Sequence, residues 1–187
     1  LKQDTDDFKY SDFLKEYKIS YLVKKYSDYI RYPIETEVTR SERKPGSPDD
    51  KPEYEDVKKT ETLNSMVPVW KKPKSEVNDE MLAEFYKNEF HDFENPLKSV
   101  YAKIEGAVNF DALLFFPSRA PFDYYSKDYK KGLKLYSNGV MIMDKCEDLL
   151  PDYFGFVKGI VDSSDLSLNI SREILQQDRQ VKAIANS

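Results

Sequence analysis

The residues best suited to chemistry lie near the carboxyl end of the chain, where a polar loop leads into a helical pattern. The loop spans residues 162–169, and the helix begins near Ser171 with Arg172 in its first turn. A helix start presents unpaired N–H groups and a partial positive charge, both of which suit an anion. Arg172 adds a planar, charged fork that matches phosphate oxygens, and Gln176 lies one turn along the same face. These residues are suited to an anion site, although by themselves they favour a capped helix in which Arg172 pairs with a surface carboxylate.

Two aromatic residues are candidates for contact with another protein. Phe122 follows Arg119 in a loop bounded by prolines, and Trp70, the single tryptophan, ends an apolar run before a lysine-rich stretch. Exposed aromatic side chains are common binding anchors. Both rings could instead pack into the core, so both interpretations remain open.

Other catalytic classes find little support in the residues. The chain has one cysteine, Cys146, and one histidine, His91, far from it in sequence. This composition disfavours a catalytic Cys/His pair and a zinc site, and it excludes an internal disulfide, as is typical of a reducing compartment. The sequence contains no glycine-rich phosphate cradle and no nucleophile elbow, and no carboxylate pair has a diagnostic spacing.

Composition sets further bounds on the function. The 187 residues are 40% hydrophobic and 14% aromatic, which is enough apolar material for a core. The formal net charge of −5 disfavours a nucleic-acid binder that relies on a positive field. No apolar run approaches the length of a membrane span, so none is predicted.

The hydrophobic periodicity predicts alternating helices and strands. Apolar residues three to four apart predict helices over residues 12–29, from the N-cap residue Asn78 onward, over residues 149–161 and from Ser171 onward. Alternating or predominantly apolar runs predict strands over residues 34–38, 99–105, 110–116, 133–136 and 140–143.

Turn residues separate these elements. Asn138-Gly139 suggests a hairpin between the last two strands, although one bent strand fits equally. Residues 40–60, rich in proline and in charges of both signs, predict a long solvated loop. Helices mixed with strands of the central type indicate a layered α/β domain.

Four runs of sequence resemble one family, the ninety-kilodalton heat-shock protein chaperones, and in particular its bacterial members. They are ISYLVKKYSDYIRYPI (19–34), LNSMVPVW (63–70), RAPFDY (119–124) and EDLLPDYFGFVKGIVDSSDLSLNISREILQQ (147–177). The last run is the most specific. The resemblance covers nearly the whole chain and is weakest over residues 40–60, where family members vary in length.

The resemblance implies a domain organisation. Residues 1–10, which are polar and acidic, would be a linker from an N-terminal ATP-binding domain outside this chain. Residues 11–187 would be the larger part of the middle domain, an α/β/α sandwich with a mixed central sheet that ends in a loop and a helix. Residues 162–177 would be the catalytic loop. The chain starts without methionine and stops within a helical pattern, so we expect a piece of a longer protein.

The resemblance also implies roles for single residues. Arg172 would reach the γ-phosphate of ATP, which is bound with Mg in the N-terminal domain. Asn169 and Gln176 would help to couple the same loop to the nucleotide and to its lid. Trp70, Phe122 and Arg119 match positions tied to domain docking and client contact.

The intact protein would then be a cytoplasmic, homodimeric ATP hydrolase that acts on unfolded or partly folded clients, without nucleic-acid or membrane partners. The isolated chain would be inactive, with no bound cofactor or metal. Two alternatives remain: a pure interaction module for clients or cochaperones, in which Arg172 is structural, and an independent phosphate-handling enzyme, for which no general base is visible.

Overall fold

The computed structural model describes residues 2–5, 9–48, 50, 52–166 and 179–187. The chain divides into two compact units, Leu1–Met66 and Val67–Ser187. Each unit is described separately below, because each has its own secondary structure.

The first unit begins with helical structure. A 3-10 helix spans Tyr10–Leu14, and helix α1 spans Glu16–Tyr26. The prediction of a helix over residues 12–29 is therefore confirmed in type. Lys15 separates the two pieces because its backbone is extended, with φ −70° and ψ 133°.

The first unit continues as a β-hairpin. Strand β1, Glu35–Arg43, pairs with strand β2, Tyr54–Thr62, in an antiparallel ladder over their whole length. The prediction of a loop over residues 40–60 is therefore wrong at both ends, and only residues 44–53 connect the strands.

Charges in this hairpin lie on the exposed faces of paired strands and not in a loop. Arg40 donates two hydrogen bonds to Glu61 across the ladder, at 3.0 and 2.7 Å. Exposed ion pairs contribute only about 0–1 kcal/mol to the free energy of folding. These charges are therefore compatible with strand pairing but contribute little to its stability. Val38 is the one strand residue of the hairpin that is buried, among the residues described.

The second unit is built on a five-stranded sheet with the order β3-β4-β7-β5-β6. Its strands are β3 (Lys98–Ile104), β4 (Phe110–Phe116), β5 (Leu133–Ser137), β6 (Val140–Cys146) and β7 (Lys158–Asp162). Strands β5 and β7 are parallel, and the other neighbours are antiparallel. The predicted mixed central sheet is confirmed.

Helices cover both faces of this sheet. Helix α2, Asp79–Phe90, packs through Tyr86 on Phe115 of β4, with ring centroids 5.1 Å apart. The terminal helix α3, Arg179–Ala185, contributes Val181 and Ile184 to the core on the opposite face. Successive side chains of a strand point to opposite faces, so one strand serves both layers. The α/β/α sandwich is confirmed.

Two local sequence signals act as expected. Asn78 caps α2, because its side-chain oxygen accepts the backbone N–H of Met81 at 2.8 Å. Asn138 and Gly139 both have positive φ, 50° and 79°, as a two-residue turn between β5 and β6 requires. The predicted hairpin is therefore confirmed.

The helix predicted over residues 149–161 is wrong. This stretch contains a 3-10 helix, Asp152–Phe154, followed by β7, the central strand of the sheet. A Cβ atom on Gly159 would lie 2.5 Å from the carbonyl oxygen of Leu113, so only glycine lets β7 approach β4 this closely. A strand buried on both faces shows no alternation of apolar and polar residues. Periodicity alone therefore does not distinguish its short apolar run from a helix.

Candidate functional site

The three predicted phosphate-sensing residues, Asn169, Arg172 and Gln176, lie outside the described residues. The structure does describe the chain on both sides of them. Residues 162–166, called the loop stem below, leave the end of β7, and the described chain resumes in α3. The stem is the part of the predicted catalytic loop whose geometry is defined.

Hydrogen bonds fix the loop stem to the strand ends beside it. The Ser163 N–H donates to the carbonyl oxygen of Tyr136 at 3.1 Å, and its hydroxyl donates to the carbonyl oxygen of Asn109 at 2.6 Å. The Asn109 N–H in turn donates to the carboxylate of Asp165 at 2.8 Å. Ser163 is fully buried, so its own two bonds lie inside the fold, whereas the bond to Asp165 is exposed.

Two further bonds hold the end of the stem and link it to the terminal helix. The Ser137 hydroxyl donates to the carbonyl oxygen of Leu166 at 2.7 Å. The Gln180 side chain, in α3, donates to the carbonyl oxygen of Asp165 at 2.9 Å. The two described flanks of the Arg172 segment are thus joined by a direct hydrogen bond.

A cluster of charges lies at the base of the stem. Asp111 of β4 and Asp162 of β7 are direct cross-strand partners. Lys71 Nζ lies 2.6 Å from the Asp111 carboxylate and 3.3 Å from the Asp162 carboxylate. Asp162 is 0% exposed, and its Oδ2 atom also accepts the indole N–H of Trp70 at 3.0 Å. We call these four residues the Lys71 cluster.

The protonation of Lys71 follows from this geometry. Partial burial of its amine by itself lowers the pKa, but the hydrogen bond to Asp111 and the charge of Asp162 outweigh it, so the pKa of Lys71 lies above its ordinary 10.5. The cation is therefore present throughout the neutral range. The stability that it contributes is complete below 10.5 and is lost only as the pH rises through the higher folded-state pKa.

An open cavity of about 480 Å³ lies over the cluster. Its walls come from the ends of β3, β4 and β7 and from the stem. The lining residues are Lys71, Lys103, Ile104, Glu105, Asn109, Phe110, Asp111, Asp162 and Ser164. Lys71 thus connects the buried carboxylates to a solvent-accessible surface beside the stem.

Trp70 occupies the core beneath this cavity. Its side chain is 0% exposed, and its ring packs on Tyr136 and Phe85 with centroids 5.4 and 5.9 Å away. Of the two interpretations made from sequence, the structure shows the packed one. Direct contact of a client with Trp70 would require this part of the fold to open.

The loop with Arg119 and Phe122 combines an anchored start with an exposed aromatic ring. Arg119 forms an ion pair with Glu94 at 3.1 Å, and the hydroxyl of the adjacent Ser118 donates to the same carboxylate at 2.6 Å. Phe122 is fully exposed. The loop is held at its start by Glu94 and presents the phenyl ring to solvent.

The aromatic residues that follow Phe122 are packed more closely. Tyr124 contacts Tyr125, Tyr129 and Phe156, with ring centroids 5.1, 5.2 and 6.4 Å apart. Tyr125 remains 91% exposed. The loop therefore carries both an anchored aromatic group and exposed rings.

Neither Cys146 nor a metal centre suggests a second site in the part of the chain that is described. Burial raises the pKa of the Cys146 thiol to about 11, so it is protonated and unreactive at neutral pH. Among the described residues, no group of three His, Cys, Asp or Glu side chains is placed to hold a metal ion. No helix in these residues is long and apolar enough to cross a membrane.

Comparison with known proteins decides the family. The model of the family described as Hsp90 protein matches residues 37–187, which is most of the chain. The chain belongs to the Hsp90 family. The resemblance inferred from the motifs is thereby confirmed.

Individual relatives in the Hsp90 family support this assignment. The chain is 55% identical to the chaperone protein HtpG of Halalkalibacterium halodurans, 54% to that of Bacillus subtilis and 52% to that of Clostridium botulinum. Each match covers all 187 residues of this chain and 29% of the relative. The chain therefore spans less than a third of the length of these relatives.

The sequence reasoning missed the Lys71 cluster in this Hsp90-family chain. Lys71 is 40 residues from Asp111, and only the fold brings them together. One signal was available: Asp111 and Asp162 are acidic residues in predominantly apolar strands. A buried carboxylate needs a partner, so each predicts a nearby cation or donor.

Proposed function

We propose that this chain is the middle segment of an ATP-dependent molecular chaperone and that it supplies Arg172 to ATP bound in a separate N-terminal domain. The observation that carries the proposal is identity of 52–55% with HtpG chaperones over all 187 residues, a range that contains Arg172. The hydrogen-bonded loop stem supports it, because an arginine that meets a phosphate in another domain needs a fixed base.

The proposed chemistry is electrostatic. The Arg172 guanidinium would stabilise the negative charge that develops on the transferred phosphoryl group, and it would arrive only when the two domains dock. Asn169 and Gln176 would help to couple the same loop to the nucleotide and its lid. Hydrolysis would thereby depend on the conformation of the whole chaperone.

The described residues offer little for a Mg·ATP site of their own. Among them, no group of three or more His, Cys, Asp or Glu side chains is placed to hold a metal ion, and the sequence contains no glycine-rich loop to cradle phosphates. ATP and Mg would therefore be held mainly by the N-terminal domain, which would also provide the general base. Arg172 would be this chain's contribution to the shared site.

We expect the isolated 187-residue chain neither to bind ATP appreciably nor to hydrolyse it, because one arginine cannot replace a pocket and a base. Calorimetric titration with Mg·ATP and a phosphate-release assay would measure both. ATP hydrolysis that remains with the chain through repeated purification would contradict the proposal that the N-terminal domain supplies the nucleotide pocket and the general base.

We also place part of the client-binding surface on the loop of Arg119 and Phe122. A fully exposed phenyl ring, supported by a loop start anchored to Glu94, is suited to apolar segments of unfolded clients. The intact protein would act as a homodimer in the cytoplasm. A single buried thiol is compatible with that reducing compartment.

Replacing Phe122 by alanine should weaken the binding of an unfolded client about fivefold or more, since a hot-spot truncation costs over 1 kcal/mol. The free energy of unfolding should stay unchanged because the ring packs on nothing. Fluorescence anisotropy of a labelled unfolded client would measure the affinity. Phe93→Ala is the matched control, since Phe93 is 96% exposed on another loop; equal losses in both variants would remove Phe122 from the proposed surface.

The second candidate function is a pure interaction module for clients or cochaperones. The exposed rings of Phe122 and Tyr125 favour it as a contributing role. It differs from the leading proposal in its treatment of Arg172, which would then be dispensable for hydrolysis. The Arg172 variant described in the Discussion separates the two.

A further inference from the structure

The Lys71 cluster presents an electrostatic problem that the fold has to solve. Asp111 and Asp162 are opposite each other on adjacent strands, and like charges in that position destabilise a sheet. Asp162 has no access to water, so its charge must be compensated within the protein. Lys71 lies between the two carboxylates, and its single positive charge offsets part of their repulsion.

The backbone around Lys71 is held in place by packing and by a hydrogen bond. It ends a short 3-10 helix, Val69–Lys71, whose buried Trp70 fills the core. The Tyr101 hydroxyl donates to the carbonyl oxygen of Trp70 at 2.9 Å. The lysine therefore projects from a fixed support, and its position is set by packing as well as by charge.

Asp162 is also the first residue of the loop stem. The next residue, Ser163, is bonded to Tyr136 and Asn109, and Asp165 is bonded to Asn109. A change in the position of Asp162 would therefore alter the geometry of these hydrogen bonds. The carboxylate pair bridged by Lys71 thus lies at the point where the stem leaves the sheet.

We propose that Lys71 is a positioning residue for ATP hydrolysis: it clamps Asp111 and Asp162 together and so fixes the loop stem from which the segment bearing Arg172 continues. This inference rests on the proposed function of Arg172. Lys71 itself touches no nucleotide. It acts by placing the arginine, and small misplacements of a catalytic group are costly, since about 1 Å can reduce a rate about 100-fold.

The test is steady-state ATP hydrolysis by the complete chaperone. Lys71→Met keeps the aliphatic stem and removes the charge, and we expect it to lower kcat about 10- to 100-fold with little change in KM. Lys71→Arg, which restores a cation, should recover most of the rate. Lys103→Met is the matched control because Lys103 lines the same cavity and, within the described part of the chain, pairs with the exposed Glu105, at 4.0 Å.

A double variant separates positioning from general destabilisation. If Lys71 acts through Arg172, Lys71→Met should cause little further loss of kcat in an Arg172→Ala background. A normal kcat for Lys71→Met, or a loss that multiplies fully in the double variant, would overturn the proposal. Normal turnover by Arg172→Ala would instead overturn the proposed function on which it rests.

A second substitution keeps the inference testable if Lys71→Met does not fold, as judged by circular dichroism. Lys71→Gln removes the charge but keeps an N–H donor that can hydrogen-bond a carboxylate, so it disturbs the fold less. It should lower kcat in the same direction with unchanged KM. A folded Lys71→Gln chaperone with the normal kcat would also overturn the proposal.

Discussion

Replacing Arg172 by alanine is expected to lower ATP turnover by the complete chaperone about 1,000-fold or more, the range in which an arginine finger acts. The affinity for ATP should change little, because under the proposed function the remaining nucleotide contacts would belong to the N-terminal domain. The reason is that the guanidinium is matched to charge that develops only as the phosphoryl group transfers. Phosphate release under saturating ATP measures the first quantity, and calorimetric titration measures the second.

The control for this variant is Arg179→Ala. Arg179 is exposed at the start of α3, seven positions after Arg172 in the chain. Removing its charge should leave turnover within about twofold of the original, because a single exposed charge has a small effect. If both alanine variants hydrolyse ATP at the original rate, the interaction-module alternative is favoured and the role of Arg172 is structural.

Replacing Trp70 by alanine is expected to destabilise the second unit by about 3–5 kcal/mol, as for other large-to-small changes in cores. The ring is fully buried between Tyr136 and Phe85. Its indole N–H also satisfies Asp162, so the variant leaves both a cavity and a carboxylate with one donor fewer. Urea unfolding followed by circular dichroism measures the loss.

Trp70→Phe separates the loss of the hydrogen bond to Asp162 from the loss of packing volume. Phenylalanine fills much of the same volume but has no N–H group, so we expect a smaller loss of about 1.5–3 kcal/mol, the range for a hydrogen bond to a charged group. Any weakening of client binding by Trp70→Ala should then scale with the fraction unfolded. A Trp70→Ala protein of normal stability that binds clients less tightly would contradict the buried role and would restore the exposed-anchor interpretation.

The parts of the fold that were predicted from sequence are those set by local chemistry. Asn78 is a good N-cap because its side-chain oxygen reaches a backbone N–H three residues on, whatever the rest of the protein does. Asn138-Gly139 forms a tight turn because both residues tolerate positive φ. The apolar run of Phe110–Phe116 forms a strand that is buried on both faces.

The parts that were not predicted depend on partners far away in sequence. The alternation over residues 34–38 predicted only the first half of β1, and the charged remainder of the hairpin lacks such a pattern, so its pairing reveals the rest. Strand β7 requires the glycine-mediated approach to Leu113, which no local pattern announces. In both cases tertiary contacts override the local signal.

The candidate site likewise has a part that was predicted from sequence and a part that was not. The motif around Arg172 led to the correct family, because its sequence is specific. The Lys71 cluster was missed because its members come from three separate stretches of the chain. The client role expected of Trp70 came from resemblance, and its burial could not be read from an apolar run that ends in a lysine-rich segment.

The most direct test of the central claim is binding of a transition-state mimic to the complete chaperone. ADP with a fluoride complex that imitates the transferring phosphoryl group should bind the Arg172→Ala variant more weakly, by a factor close to its loss of turnover. ADP alone should bind both proteins equally. Equal affinity of both proteins for the mimic would contradict the claim that Arg172 contacts the γ-phosphate.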